Sequence, residues 1–178
     1  MKILILFDTV EGLTGRIARL IADQVRKAGH AAHLVDAAAT DLPDLDHADA
    51  VILAASVHQR RHPARFEALV AAHKADLADR PTLMLSVSLN AAFPEGRSEA
   101  EDYLLEMKMR TGLTPSEEML VGGAVRTEKY DYFAMMVVRH VVLRGRDVDM
   151  SQSEHDFTDY DAVRAKVSAF LEACAAPA

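Results

Sequence analysis

Residues 3–14 constrain this chain more than any other stretch: an unbroken apolar run, Ile3–Phe7, gives way at once to Asp8-Thr9-Val10-Glu11-Gly12-Leu13-Thr14. An apolar run without alternation is what a strand covered on both faces requires, and parallel strands are the usual case. Ile17, Leu20, Ile21 and Val25 then follow helical spacing. A hydroxyl-rich turn between a buried strand and a helix start presents free backbone N–H groups and hydroxyl donors at one point, a place to hold an anion, most naturally a phosphate. The turn lacks the Gly-Lys-Ser/Thr of a nucleoside triphosphate site and the Gly-x-Gly-x-x-Gly of a dinucleotide fold, so one phosphate is expected rather than two or three.

The rest of the chain repeats that rhythm. Strands are expected at Lys2–Phe7, Ala31–Asp36, Ala50–Ala55, Thr82–Ser88 and Met119–Val125. Helices are expected at about Gly15–Ala28, Pro63–Ala78, Ser98–Thr111 and Asp161–Ala173, with Gly29 closing the first. The alternation predicts an α/β doubly wound sheet of five parallel strands. Ligands of such sheets sit beyond the carboxyl ends of the strands, here the loops 8–14, 56–62 and 88–96. Between Val125 and Asp156, an amphipathic helix insert near strand five is expected at Lys129–Leu143, its stripe running through Tyr130, Phe133, Met136, Val137 and Val141. The stripe suits a membrane surface, the roof of an apolar pocket, the domain's own sheet edge, or a second copy of the chain in a homo-oligomer. The whole reads as a single domain over 1–174, with the insert at about 126–156 and a short tail at 175–178.

With 178 residues, half of them hydrophobic, the chain can bury a substantial core. One cysteine, Cys174, precludes an internal disulfide and suits a cytoplasmic setting; no apolar run reaches a signal core or a spanning helix. A net charge of −7 argues against nucleic acid as a partner. His58 and His62 stand four apart but lack a third ligand, so no metal is expected.

The ordered set Leu4-Ile5-Leu6-Phe7-x-Thr9-x-Glu11-Gly12-x-Thr14-x-x-Ile17-Ala18, Ala55-Ser56-Val57, Ser86-Val87-x-Leu89, Pro94-Glu95, Gly123-Ala124-Val125-Arg126 and Phe157-Thr158-Asp159-Tyr160 resembles the flavodoxin-like family. Within it, the chain is most similar to the menaquinone-dependent protoporphyrinogen IX dehydrogenases. The resemblance implies an FMN-dependent oxidoreductase of haem biosynthesis, taking electrons from a porphyrinogen and passing them to a quinone. Contact with the inner membrane face through 129–144 would follow. A flavodoxin-like electron carrier and a flavodoxin fold that has lost FMN remain as alternatives. It also implies the FMN-binding residues. Thr9, Val10, Glu11, Gly12, Leu13, Thr14 and Gly15 would hold the phosphate. Ser56, Val57, His58, Gln59 and Arg60, with Ser88, Leu89, Asn90, Ala91 and Ala92, would flank the ring. His58 or Arg60 would stack on it, there being no Trp. No catalytic acid or base is indicated.

Asp8 departs from the family pattern, which carries Ser or Thr there. A carboxylate accepts but cannot donate, and it repels a phosphate. It is expected to turn away and cap the helix N-terminus; the other outcomes are weak FMN binding or loss of the cofactor.

Overall fold

In the computed structural model, which describes residues 1–39, 45–126 and 154–176, these elements form one sheet between two helical layers. The elements are β1 (Lys2–Asp8), α1 (Leu13–Lys27), β2 (Ala31–Asp36), β3 (Ala50–Ser56), α2 (Ala64–Ala72), α3 (Lys74–Ala78), β4 (Thr82–Ser88), α4 (Arg97–Thr111), β5 (Glu117–Gly122), β6 (Ala124–Arg126), β7 (Glu154–Asp156) and α5 (Tyr160–Ala175). The five main strands are all parallel, in the order β2-β1-β3-β4-β5. The three continuous apolar runs became the three central strands, buried on both faces, while β2 and β5 lie at the edges with partly exposed side chains.

Because strand side chains alternate between faces, each strand feeds two cores. Ile3, Ile5 and Phe7 pack with Ile17, Ile21 and Val25 of α1 and with Val163, Val167 and Phe170 of α5. Leu4 and Leu6 point the other way, onto Phe66, Leu69 and Val70 of α2 and Leu104 and Met107 of α4. Cys174 sits half-buried against the first core, and burial, with Glu117 nearby, raises its thiol pKa. At the close of α1, the amides of Gly29 and His30 return to the carbonyls of Arg26 and Val25, as a C-terminal glycine cap requires.

Two expectations need correction. The helix expected over Pro63–Ala78 is interrupted at His73, giving α2 and α3. Strand five stops at Gly122 rather than running to Val125. Residue 123 leaves the sheet, and Ala124–Arg126 then pair antiparallel with Glu154–Asp156 as a separate ribbon. The departure needs a residue without a side chain: a Cβ on Gly123 would lie 2.9 Å from both Leu89 N and Ser88 C, while Gly123 N–H donates to Ser88 O. The expected insert helix at Lys129–Leu143 falls outside the described residues, as does any membrane contact through it. Among the described residues, no helix is long and apolar enough to cross a membrane.

Gly123→Ala is expected to cost roughly 1–3 kcal/mol, since the atoms it meets are backbone and cannot rotate aside. Urea unfolding of the variant against the native chain measures this.

Candidate functional site

The paired registers end level: Asp8 lies beside Ala55, Ser56 beside Val87, and Ser88 beside Gly122. The loops leaving β1, β3 and β4 therefore emerge together, next to the β1/β3 boundary where successive connections run in opposite directions across the sheet. There they enclose a cleft of about 100 Å³, lined by Thr9, Val10, Glu11, Leu13, Thr14, Ser56, Val57, His58, Ser88 and Leu89. Val87, Gly123 and Ala124, which belong to the motifs of the resemblance but were not expected among the FMN-binding residues, complete it. Gly123 and Ala124 reach the cleft only because the chain turns out of the sheet after β5.

The first loop is closed by its own hydroxyls. Gly12 N–H donates to Thr9 Oγ1 at 2.8 Å, and Val10 N–H donates to Ser56 Oγ at 3.3 Å. Gly12 adopts φ +95°, a left-handed conformation that glycine takes without steric cost, and delivers the chain into α1. No side chain caps α1, and its first turn carries no acid. Its leading N–H groups and the positive end of its dipole are thus left for a ligand. Beside them, the Thr14 hydroxyl is buried and has no hydrogen-bond partner among the described residues. A buried orphan donor normally costs stability, and an anion at this helix start would satisfy it. These residues fit the phosphate of a nucleotide-like cofactor.

Asp8 does turn away, but it does not cap α1. As the last residue of β1 it shares the parity of Leu4 and Leu6, so its side chain enters the α2/α4 side. There Arg65 of α2 grips it with two hydrogen bonds, Nε to Oδ2 at 2.6 Å and Nη2 to Oδ1 at 2.7 Å. The carboxylate is wholly buried while half of the Arg65 side chain stays exposed. Asp8, hydrogen-bonded in turn, raises the Arg65 pKa above its ordinary value. Arg65, in the first turn of α2, is therefore the partner that makes Asp8 compatible with the cleft.

The same layer holds two more buried polar groups. His62 Nε2 lies 3.0 Å from Ser86 Oγ, while its Nδ1 has no partner among the described residues. Burial lowers its pKa from 6.5 to about 4, with Glu67 opposing and Arg110 adding to the effect. Burial would raise the pKa of Glu67, but hydrogen bonds from Arg110, at 2.7 Å, and Arg61, at 2.9 Å, hold it below the usual carboxylate range. The two histidines that invited a metal reading have separated: His58 lines the cleft and His62 is buried against β4.

The remaining expected ring-flanking residues look elsewhere. His58 to Arg61 form a tight hairpin turn in which Gln59 and Arg60 both have positive φ, +48° and +65°. Arg60 reaches Glu99 of α4 and places its guanidinium 5.5 Å from the centre of the Tyr103 ring. It does not stand over the cleft. Asn90 also turns its amide to Glu99 and Tyr103. Ala91 and Ala92 border a separate, larger groove along β5 between α4 and α5, in whose lining Arg97 pairs with Glu101 and Lys108 with Glu118. Gly12 and Gly15 support the first loop from behind: a Cβ on Gly15 would press on Phe7 Cε2 at 3.3 Å.

Arg65→Ala leaves Asp8 buried without its partner, and a loss of about 2–4 kcal/mol is expected, trimmed from the fully buried case because Arg65 is half in solvent. Chemical denaturation at pH 7 checks it. His62 is neutral in the folded chain, while the unfolded chain takes up a proton below 6.5. Its contribution is fully present above pH 6.5 and is lost as pH falls towards 4, by up to about 3 kcal/mol. Unfolding curves across that window should fall more steeply for the native chain than for His62→Gln.

Comparison with known proteins agrees with this architecture. The flavodoxin-domain family profile matches residues 4–152. Protoporphyrinogen IX dehydrogenase [quinone] of Escherichia coli (strain K12) is 27% identical over 165 residues, 92% of this chain and 91% of that protein. Oxidised flavodoxin 1 from Bacillus cereus superposes with a TM-score of 0.56 at 15% identity, covering 97% of this chain and 98% of the other. A substituted Fusobacterium nucleatum flavodoxin bound to flavin mononucleotide gives 0.52 at 12% identity, covering 96% and 93%. With a five-stranded 2-1-3-4-5 sheet and a family match over most of its length, this chain belongs to the flavodoxin-domain family.

Proposed function

We propose that this protein binds FMN at the β1/β3 cleft and works as an oxidoreductase, oxidising a porphyrinogen and passing the electrons to a quinone. The observation that carries the cofactor is the buried, unpartnered Thr14 hydroxyl at the uncapped start of α1. The finer assignment to porphyrinogen and quinone rests on the likeness, over 92% of the chain, to the Escherichia coli dehydrogenase. FMN would supply the redox chemistry itself. The chain's residues would bind and orient it. Thr14 and Thr9 would donate hydroxyl hydrogens to the phosphate, joined by the first-turn amides of α1. Val10, Leu13 and Val57 would keep water from the cleft, and His58, Ser88 and Leu89 would border the ring.

Asp8 was the reason for keeping a fold without cofactor as an alternative. Its engagement with Arg65 on the far side of the sheet removes the repulsion that argument needed. An electron carrier remains the second reading, since the solved flavodoxins cover nearly the whole chain.

The test has two stages. Purified protein should be yellow or take up FMN on addition, and colourless protein that refuses FMN would end both flavin readings. Flavin-loaded protein should then couple oxidation of a porphyrinogen to reduction of a quinone; flavin binding without that turnover would leave the carrier. Thr14→Val should weaken FMN binding roughly tenfold, the loss of one hydrogen bond to a charged group, and leave riboflavin binding unchanged. Asp8→Ser should leave FMN affinity within about twofold of native, because no carboxylate faces the phosphate. Titration of flavin fluorescence reads both.

A further inference from the structure

The cleft encloses about 100 Å³ and opens between the loops after β3 and β4. A phosphate fits the enclosed part, and a three-ring flavin would lie further out, between those two loops. Those two loops are tied together by side chains outside the cleft. From the second loop, Arg60 pairs with Glu99 and stacks on Tyr103. From the third, Asn90 Nδ2 donates to Glu99 Oε2 at 2.7 Å and lies 3.0 Å from Tyr103 Oη. Glu99 and Tyr103 both sit on α4, one helical turn apart.

We propose that Arg60, Asn90, Glu99 and Tyr103 form a latch that joins the two ring-flanking loops and gates entry and exit of the flavin. The proposal rests on the FMN reading above. Its parts differ in how firmly they are held. Tyr103 is almost fully buried, and the backbone of Asn90 is pressed against Gly96, where a Cβ would meet Asn90 O at 2.5 Å. Those two residues form the fixed side. Arg60 is the movable side: two-thirds of its side chain is exposed, and it stands at the second of two adjacent left-handed residues. Reciprocal backbone hydrogen bonds between His58 and Arg61 close that turn, and the Arg60–Glu99 pair ties its tip to α4. Breaking the pair releases the tip from α4 while the third loop keeps its own contact with Tyr103.

A gate has a kinetic signature distinct from a binding contact. Loss of a contact in the loaded state speeds release alone, whereas loss of a gate speeds both uptake and release. Stopped-flow flavin fluorescence on the full chain should show both FMN rates rising roughly three- to tenfold in Glu99→Gln, in line with an ion pair backed by charge-assisted hydrogen bonds, with the dissociation constant little changed. Arg60→Glu and Glu99→Arg should each do the same, and the double exchange should return both rates towards native. Arg164→Gln, which removes an exposed ion pair on α5, should match the native chain. Uptake at the native rate in Glu99→Gln, or a double exchange as fast as either single variant, would overturn the latch. Should the native chain bind no FMN, the cofactor reading falls and the gate falls with it; FMN binding with uptake at the native rate in Glu99→Gln overturns the gate alone.

Discussion

Everything at this site depends on the two-residue alternation of β1. A strand covered on both faces has no solvent side on which to place a polar residue, so each position belongs to one helical layer or the other. Phe7 goes to α1 and Asp8, one residue later, to α2. That single step separates a carboxylate from a helix start built to receive an anion, though the two are close in sequence. The buried charge is tolerable because a planar guanidinium meets it with two hydrogen bonds, the geometry that suits Arg and not Lys. The anion site and the carboxylate that would oppose it thus occupy opposite faces of the same sheet.

Much of the architecture was legible in the sequence because its signals are local. Continuous apolar runs identified β1, β3 and β4, and the spacing of Ile17, Ile21 and Val25 identified α1 and its buried side. The closure of the first loop is local too, since Gly12 N–H bonds to Thr9 Oγ1 three residues back. What could not be read were choices made by distant partners. Nothing near Arg65 announces Asp8, 57 residues away. Strand parity was the available clue, since it places Asp8 with Leu4 and Leu6. The resemblance implied Arg60 and Asn90 beside the ring, whereas their side chains bond to Glu99 and Tyr103. The break after β5 was similarly hidden, because Gly122-Gly123 fits a strand end as well as a bend; only the closeness of Ser88 and Leu89 decides it.

The α2/α4 side of the sheet carries an unusual polar load beneath the loops: Asp8, His62, Ser86 and Glu67 are all buried there. The opposite core, under α1 and α5, is almost wholly apolar. The two sides answer to different demands. The apolar side seats α1, and with it the candidate anion site. The polar side positions the start of α2 and the hairpin before it through directional bonds, which tie the stability of that region to pH through His62.

The short ribbon of β6 and β7 has a consequence for how such a protein can change. Its three paired positions bring Ala124 opposite Asp156 and Arg126 opposite Glu154, so residues 127–153 depart and return at neighbouring points. Arg16, in the first turns of α1, pairs with Glu154 and Asp156 and fastens the base of the ribbon to the rest of the molecule. A chain segment whose two ends are already held together adds little to the entropy of closure when lengthened, about 0.6 kcal/mol for each doubling. The pairings that set the register of the main sheet all lie outside the ribbon, much as the wiring in a wall runs its course whatever socket it feeds.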